Sequence, residues 1–168
     1  MEFELAKQKF VQTWGVLGTN WGINRTMAQI HALLLICENP LSADDVMQQL
    51  QISRGNANQN LRELIDWGLV AKSTKLGERK EYFAAEKDIW KVAKQIIKER
   101  RKREIEPIHN ILNDLKKIKI DKANTEQKHF INMLNNIDTV VTKMDTSVER
   151  LIKLDENAIV HTLFKLLK

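Results

Sequence analysis

Residues 53–64 run Ser-Arg-Gly-Asn-Ala-Asn-Gln-Asn-Leu-Arg-Glu-Leu, placing four amide side chains within five consecutive positions. Amides pair with adenine through N6 and N7, and arginine pairs with guanine through O6 and N7, so these residue types suit readout of a DNA major groove. Ala57, Leu61 and Leu64 recur at helical spacing and make one narrow apolar stripe. At about 100° per residue, the opposite face holds Gly55, Gln59 and Arg62, flanked by Asn56 and Asn58. Gln59 and Asn56 are the main candidates for base contacts. Gly55 has no side chain and lets the helix start approach a duplex closely. Ser53 and Arg54, at that start, suit phosphate. Further along, Lys72, Lys75, Arg79 and Lys80 surround Gly77-Glu78 and are candidates for contacts to the nucleic-acid backbone. Arg79 is nearest the turn, where an arginine can enter a narrow minor groove.

These residues need elements to hold them. Phe3, Ala6, Phe10, Trp14 and Leu17 keep a helical spacing, after which Gly15, Gly18 and Gly22 are expected to loosen the chain around Trp21. A second helix is expected from about Arg25 to Cys37, with Met27, Ile30, Leu34 and Cys37 inward, stopped by Asn39-Pro40. Ser42 then caps a short helix with Asp44 and Asp45 in its first turn, Val46 and Leu50 inward, and an end near Gln51. Ser53 caps the next helix, and Trp67-Gly68 closes it. Residues 69–75 and 81–83 read as two strands joined through the basic turn. Three helices followed by such a hairpin give a winged helix-turn-helix order.

From Asp88 the pattern is helical, with Ile89, Ala93 and Ile96 beginning a face that resumes at Ile108, Ile111, Leu115 and Ile118. Pro107 interrupts it and predicts a kink. Residues 120–124 read as a loop, with Thr125 capping a last long helix. There Phe130, Leu134, Ile137, Val141, Met144, Val148 and Leu151 alternate by four and three residues, the period of a seam between helices. Either the preceding helix of the same chain or a second copy can fill that seam. A final amphipathic segment, 158–167, offers Ile159, Leu163 and Leu166 and favours a second copy.

Composition narrows the function classes. The chain has 168 residues, is 43% hydrophobic and carries a net charge of +5. That charge is local: residues 53–80 hold six Lys/Arg against three Asp/Glu, and residues 87–119 hold eleven against five, centred on 98–103. The longest apolar run, 32–37, is too short for a membrane span, and the start of the chain lacks an apolar signal core. A single cysteine, Cys37, fits a small buried hydrophobe in a reducing, cytoplasmic setting. His31, His109, His129 and His161 have no acidic or cysteine neighbours at metal-ligand spacing, and no phosphate loop or nucleophile motif occurs. Neither an enzyme, a cofactor nor a metal site is expected. Four tryptophans, Trp14, Trp21, Trp67 and Trp90, are candidates for a cation–π pocket holding a quaternary ammonium effector.

Several segments together resemble the GbsR branch of the MarR-type regulators: 24–26 leading into 29–30 and 32–34, then 41–45, 52–54, 61–64, 67–70, 77–82 and 86–90. The resemblance covers residues 10–105; beyond them the likeness is only in being helical and heptad-like. It implies a homodimeric transcription regulator, acting on a roughly palindromic operator and responsive to a choline-like small molecule. The expected fold is therefore mainly α: a winged helix-turn-helix with a small two-stranded β-wing, plus long C-terminal dimerisation helices. Residues 1–86 are expected to form the DNA-binding domain, with residues 1–20 a helix able to join the dimer interface, and 87–168 the linker and dimerisation region. Double-stranded DNA is the expected partner, repression the expected outcome. The alternative from another class is a winged-helix scaffold whose amide face binds a protein.

Overall fold

A computed structural model of the chain describes residues 2–119, 121 and 124–154. Two compact units divide it, Met1–Gln95 and Ile96–Lys168. The first contains α1 (Phe3–Asn20), α2 (Arg25–Ile36), β1 (Leu41–Ser42), α3 (Ala43–Leu50), α4 (Arg54–Asp66), β2 (Val70–Thr74) and β3 (Glu81–Ala85). This is a winged helix-turn-helix, but its sheet has three antiparallel strands in the order β1-β3-β2, one more than the expected pair. The chain leaves Pro40 already extended, so Leu41 and Ser42 pair with Phe83 and Tyr82 along the free edge of the hairpin. Two residues are too few to display an alternating pattern.

Caps set the helix boundaries. The Ser42 hydroxyl accepts from the Asp45 N–H at 3.2 Å, while the Ser42 N–H donates to the Asp45 carboxylate at 2.8 Å, a reciprocal box that starts α3. The Ser42 hydroxyl also donates to that carboxylate, and these bonds hold it below the usual carboxylate range. Ser53 starts α4 by accepting the Asn56 N–H at 3.3 Å. Gly68, at φ 68°, ends it in the left-handed region that a side chain resists. The core beneath is made of Met27, Ile30 and Leu34 of α2, Val46 of α3 and Leu61 and Leu64 of α4, all under 2% exposed. Full burial of one such side chain contributes about 1.5–3 kcal/mol.

Three expectations for the N-terminal region are corrected. Gly15 and Gly18 do not loosen the chain; both lie inside α1 and are buried. A Cβ on Gly18 would stand 2.5 Å from the Ala28 Cβ, and one on Gly15 2.6 Å from Gln29 Cγ, so glycine here permits a close α1–α2 crossing. The inward face of α1 is consequently Val11, Gly15 and Gly18, whereas Phe3, Phe10 and Leu17 of the expected stripe are exposed. Cys37, expected inside the helix and buried, is the C-cap of α2 and half-buried. The Lys87 ammonium closes that end of α2 from far along the chain, donating to the carbonyls of Leu34, Leu35 and Cys37 at 2.6, 2.9 and 2.6 Å.

Beyond β3 come α5 (Ile89–Arg100), a π-helical turn (Arg101–Ile105), α6 (Glu106–Leu115) and α7 (Thr125–Lys153). The disturbance expected at Pro107 takes the form of that π turn. The Glu106 N–H reaches back five residues to the Arg101 carbonyl, and the wider turn relieves the clash a proline ring causes in an α-helix. Asn124, not Thr125, caps α7, accepting from the Gln127 N–H at 3.1 Å.

Within the second unit the expected faces are also shifted. Among the described residues, the buried apolar side chains there are Leu112 and Leu134, while Ile108, Ile111, Leu115 and Ile118 are exposed. The side of α7 covered within the chain is Ile131, Leu134, Asp138, Val141, Asp145, Val148 and Ile152. It shares Leu134, Val141 and Val148 with the expected seam. Its remaining positions include two aspartates. Lys116 pairs with Asp138 and Arg101 with Asp145, each cation holding its carboxylate below the usual range. His109 lies 3.7 Å from Asp138 and 3.9 Å from Asp145, so it is not isolated from acids as its sequence neighbours suggest. The amphipathic segment 158–167, with His161, lies outside the described residues, as do Ile120, Lys122 and Ala123 of the expected loop.

Candidate nucleic-acid interface

The α4 helix buries Ala57, Asn60, Leu61 and Leu64. That orientation leaves Ser53, Arg54, Gly55, Gln59 and Arg62 exposed, with Asn56 and Asn58 half-buried at the sides. No Cβ contact within 4 Å would meet a side chain at Gly55, so the start of the helix is open. The side chains of Gln59, Arg62 and Arg79 make no hydrogen bond or ion pair among the described residues, so their donors are free for a ligand.

The wing joins this surface at one end of α4. A groove of about 280 Å³ is lined by Arg54 and Asn58 of the helix together with Arg79 and Lys80 of the wing, and by Asp44 and Glu81. Asp44 organises the cations: Arg54 Nη2 lies 3.1 Å from Asp44 Oδ1 and Lys80 Nζ 3.9 Å from Asp44 Oδ2. The other two wing lysines are engaged within the hairpin. Lys72 pairs with Glu81 at 2.8 Å, and the Lys75 ammonium sits 4.3 Å from the centre of the Tyr82 ring. The Tyr82 hydroxyl donates to Glu78 at 2.6 Å, and that carboxylate raises its pKa. All these pairs are solvent-exposed and individually weak, so an incoming phosphate can exchange with their carboxylates.

Two residues not among the candidate contacts read from the sequence shape this surface. Asp44 was legible only as a helix start, since its cations arrive from positions 54 and 80. Asn60 was detectable by spacing, because it completes the buried stripe at 57, 60, 61 and 64. Its amide Nδ2 donates to the Asn56 carbonyl at 2.8 Å and to Asn56 Oδ1 at 2.7 Å.

The four tryptophans differ in setting. Trp14 is half-buried on α1, its ring 5.4 Å from that of Phe10, and Trp21 is 55% exposed at the α1 C-cap. Trp67 is buried at the C-cap of α4, and Trp90 is half-buried on α5. A separate cavity of about 470 Å³ between α1, α2 and α3 contains no aromatic side chain. Its polar lining includes Gln8, Gln12, Gln29, Gln49 and Gln51. It lacks the ring faces that hold a quaternary ammonium. Among the described residues there is no cluster of metal-ligating side chains, and no helix is long and apolar enough to cross a membrane.

Comparison with known proteins agrees with this geometry. Residues 21–80 match the MarR family, a span running from the C-cap of α1 through α2, α3 and α4 to the end of the wing turn. No curated protein matches the chain. A solved structure described as the crystal structure of a transcriptional regulator is similar in fold, with a TM-score of 0.66 and 17% identity, over 88% of this chain and 95% of its own. The family match covers residues 21–80, and the solved structure shares the fold. Residues 21–80 are thus similar to the MarR family, and they are set in a mainly helical winged-helix fold with a long C-terminal helix.

Proposed function

We propose that this chain is a sequence-specific DNA-binding transcription regulator of the GbsR branch, working as a homodimeric repressor on a palindromic operator. The observation that carries the reading is the outer face of α4. It is exposed, rich in amides and guanidinium groups, and flanked by a wing whose cations share one groove with its first turn. Gln59 and Asn56 read base edges, while Arg62 and Asn58 contribute from the same helix. Ser53, Arg54 and the open Gly55 receive a phosphate at the helix start. Lys72, Lys75, Arg79 and Lys80 exchange their present partners or solvent for the nucleic-acid backbone. In this reading residues 1–86 recognise DNA and residues 87–168 join two copies. The α4 helices of the two copies enter successive major grooves about 34–36 Å apart.

Mobility shift on random duplex at graded salt, followed by selection from a random library, tests the reading. A regulator binds random duplex with a steep salt dependence and selects a two-fold symmetric sequence. Weak binding without salt dependence would indicate a protein-binding scaffold. The effector part is tested separately by tryptophan fluorescence against choline and betaine, using Trp14, Trp21, Trp67 and Trp90 as reporters; a flat response removes it.

A further inference from the structure

Resting on the DNA-binding reading above, we infer that buried Asn60 positions Asn56 so that α4 reads a carbonyl oxygen on a base edge and discriminates against an amino group. The chain of reasoning begins at a main-chain atom. The Asn56 carbonyl can only accept, so the Asn60 side-chain atom 2.8 Å from it must be the amide nitrogen. That same nitrogen lies 2.7 Å from the end of the Asn56 side chain. Two donors cannot face one another at that distance, so the Asn56 atom turned toward Asn60 is its oxygen. Which half of the Asn56 amide is which is thereby settled by the backbone through one intermediary. An exposed asparagine ordinarily turns over freely and can offer either half.

The remaining half of Asn56, its NH2, is turned away from Asn60. Asn60 is 4% exposed and belongs to the inward stripe of α4, whereas Asn56 is half-buried at the edge of the outer face. The outward group at position 56 is therefore a donor. In the major groove the partners that set it apart are O6 of guanine and O4 of thymine; adenine offers N6–H2 and cytosine N4–H2 in their place, each a donor against a donor, while the N7 common to both purines does not discriminate. Reversing the amide to accept from an amino group would break the 2.7 Å bond and leave a buried Asn60 hydrogen without a partner. The Asn56 backbone is held as well, since its N–H donates to Ser53 Oγ. Asn60 is thus a positioning residue for base preference, although it does not face the ligand.

The test uses the full chain and the duplex recovered by selection from a random library. Each guanine or thymine on the contacted strand is replaced in turn by its amino counterpart, adenine for guanine and cytosine for thymine. In the wild type one replacement per half-site, that facing Asn56, costs about tenfold or more in affinity, and Asn56→Ala abolishes that cost. Asn60→Leu, similar in volume, reduces it to about threefold or less while leaving the costs at the other positions unchanged. Asn56→Asp keeps an oxygen toward Asn60 and turns a second oxygen outward, so it inverts the preference at that one position toward cytosine and adenine. Because position 56 is at the surface, this second variant decides the matter if Asn60→Leu fails to fold. An unaltered preference in Asn56→Asp, or a preference lost equally at every position in a folded Asn60→Leu, overturns the inference. Failure of the wild type to bind any duplex would instead overturn the DNA-binding reading itself.

Discussion

Asp44 restrains the cations beside the start of α4, and its removal separates charge from shape at the residue scale. It lies within 3.1 Å of Arg54 and 3.9 Å of Lys80, side chains proposed to meet phosphate. Asp44→Asn is expected to tighten binding to random duplex about threefold or more at low salt, since one repulsive charge disappears and two cations are released. Arg79→Ala is expected to weaken binding to all duplexes alike and to lower the salt slope by about one unit. An unchanged slope would remove Arg79 from the phosphate contacts. His31 makes a prediction about stability. It is 3% exposed, its Nε2 has no hydrogen-bond partner among the described residues, and burial, aided by the Lys87 charge, lowers its pKa from 6.5 to about 4. The folded chain thus resists protonation that the unfolded chain accepts below the ordinary value of 6.5. Stability is complete above that pH and declines as pH falls toward 4. The loss from this group is about 2 kcal/mol between pH 7 and pH 5. Denaturant titration at both pH values measures it, and His31→Leu should flatten the difference.

At the scale of elements, the α1–α2 crossing is the most demanding contact. Gly18 lies against Ala28 with no space for a Cβ, and the neighbouring atom belongs to a side chain that cannot rotate away. Gly18→Val is expected to destabilise the first unit by about 1–3 kcal/mol through overpacking. A thermal melt unchanged from the wild type would show that α1 can shift outward at no cost. The helix-turn-helix itself is legible in the sequence because its signals are local. Ser42 and Ser53 cap the two helices, and Gly68 supplies the left-handed residue after α4. The same signals failed at Gly15 and Gly18. Glycine in a sequence marks either a break or a close approach, and only the partner helix distinguishes them. The strand β1 was missed for a related reason, since its two residues are extended only because β3 is there to pair with them.

At the scale of the whole molecule, α7 carries two apolar registers. One lies against the chain's own helices and includes Asp138 and Asp145 with their cations. The other, Phe130, Met133, Ile137, Val140, Met144 and Leu151, is exposed and keeps a heptad spacing. An apolar surface of that length is uncommon on a monomer, and it suits the second copy proposed above. Changing both Ile137 and Met144 to glutamate is expected to give a folded monomer by sedimentation equilibrium, with helix content retained and operator affinity reduced at least about a hundredfold through lost bivalency. A persistent dimer would place the contact elsewhere.

Periodicity, capping residues and turn chemistry act over a few residues, so the order of helices, the hairpin and the amide-bearing face of α4 could be read from the chain alone. Which of two overlapping apolar registers turns inward, which glycines are close contacts, and which cations share Asp44 depend on groups brought together from distant positions. Lys87 on the carbonyls of residues 34, 35 and 37, and His109 between two aspartates of α7, are of this second kind. Packing selects among patterns that local spacing leaves equivalent, because burial and charge pairing are energies of neighbours in space.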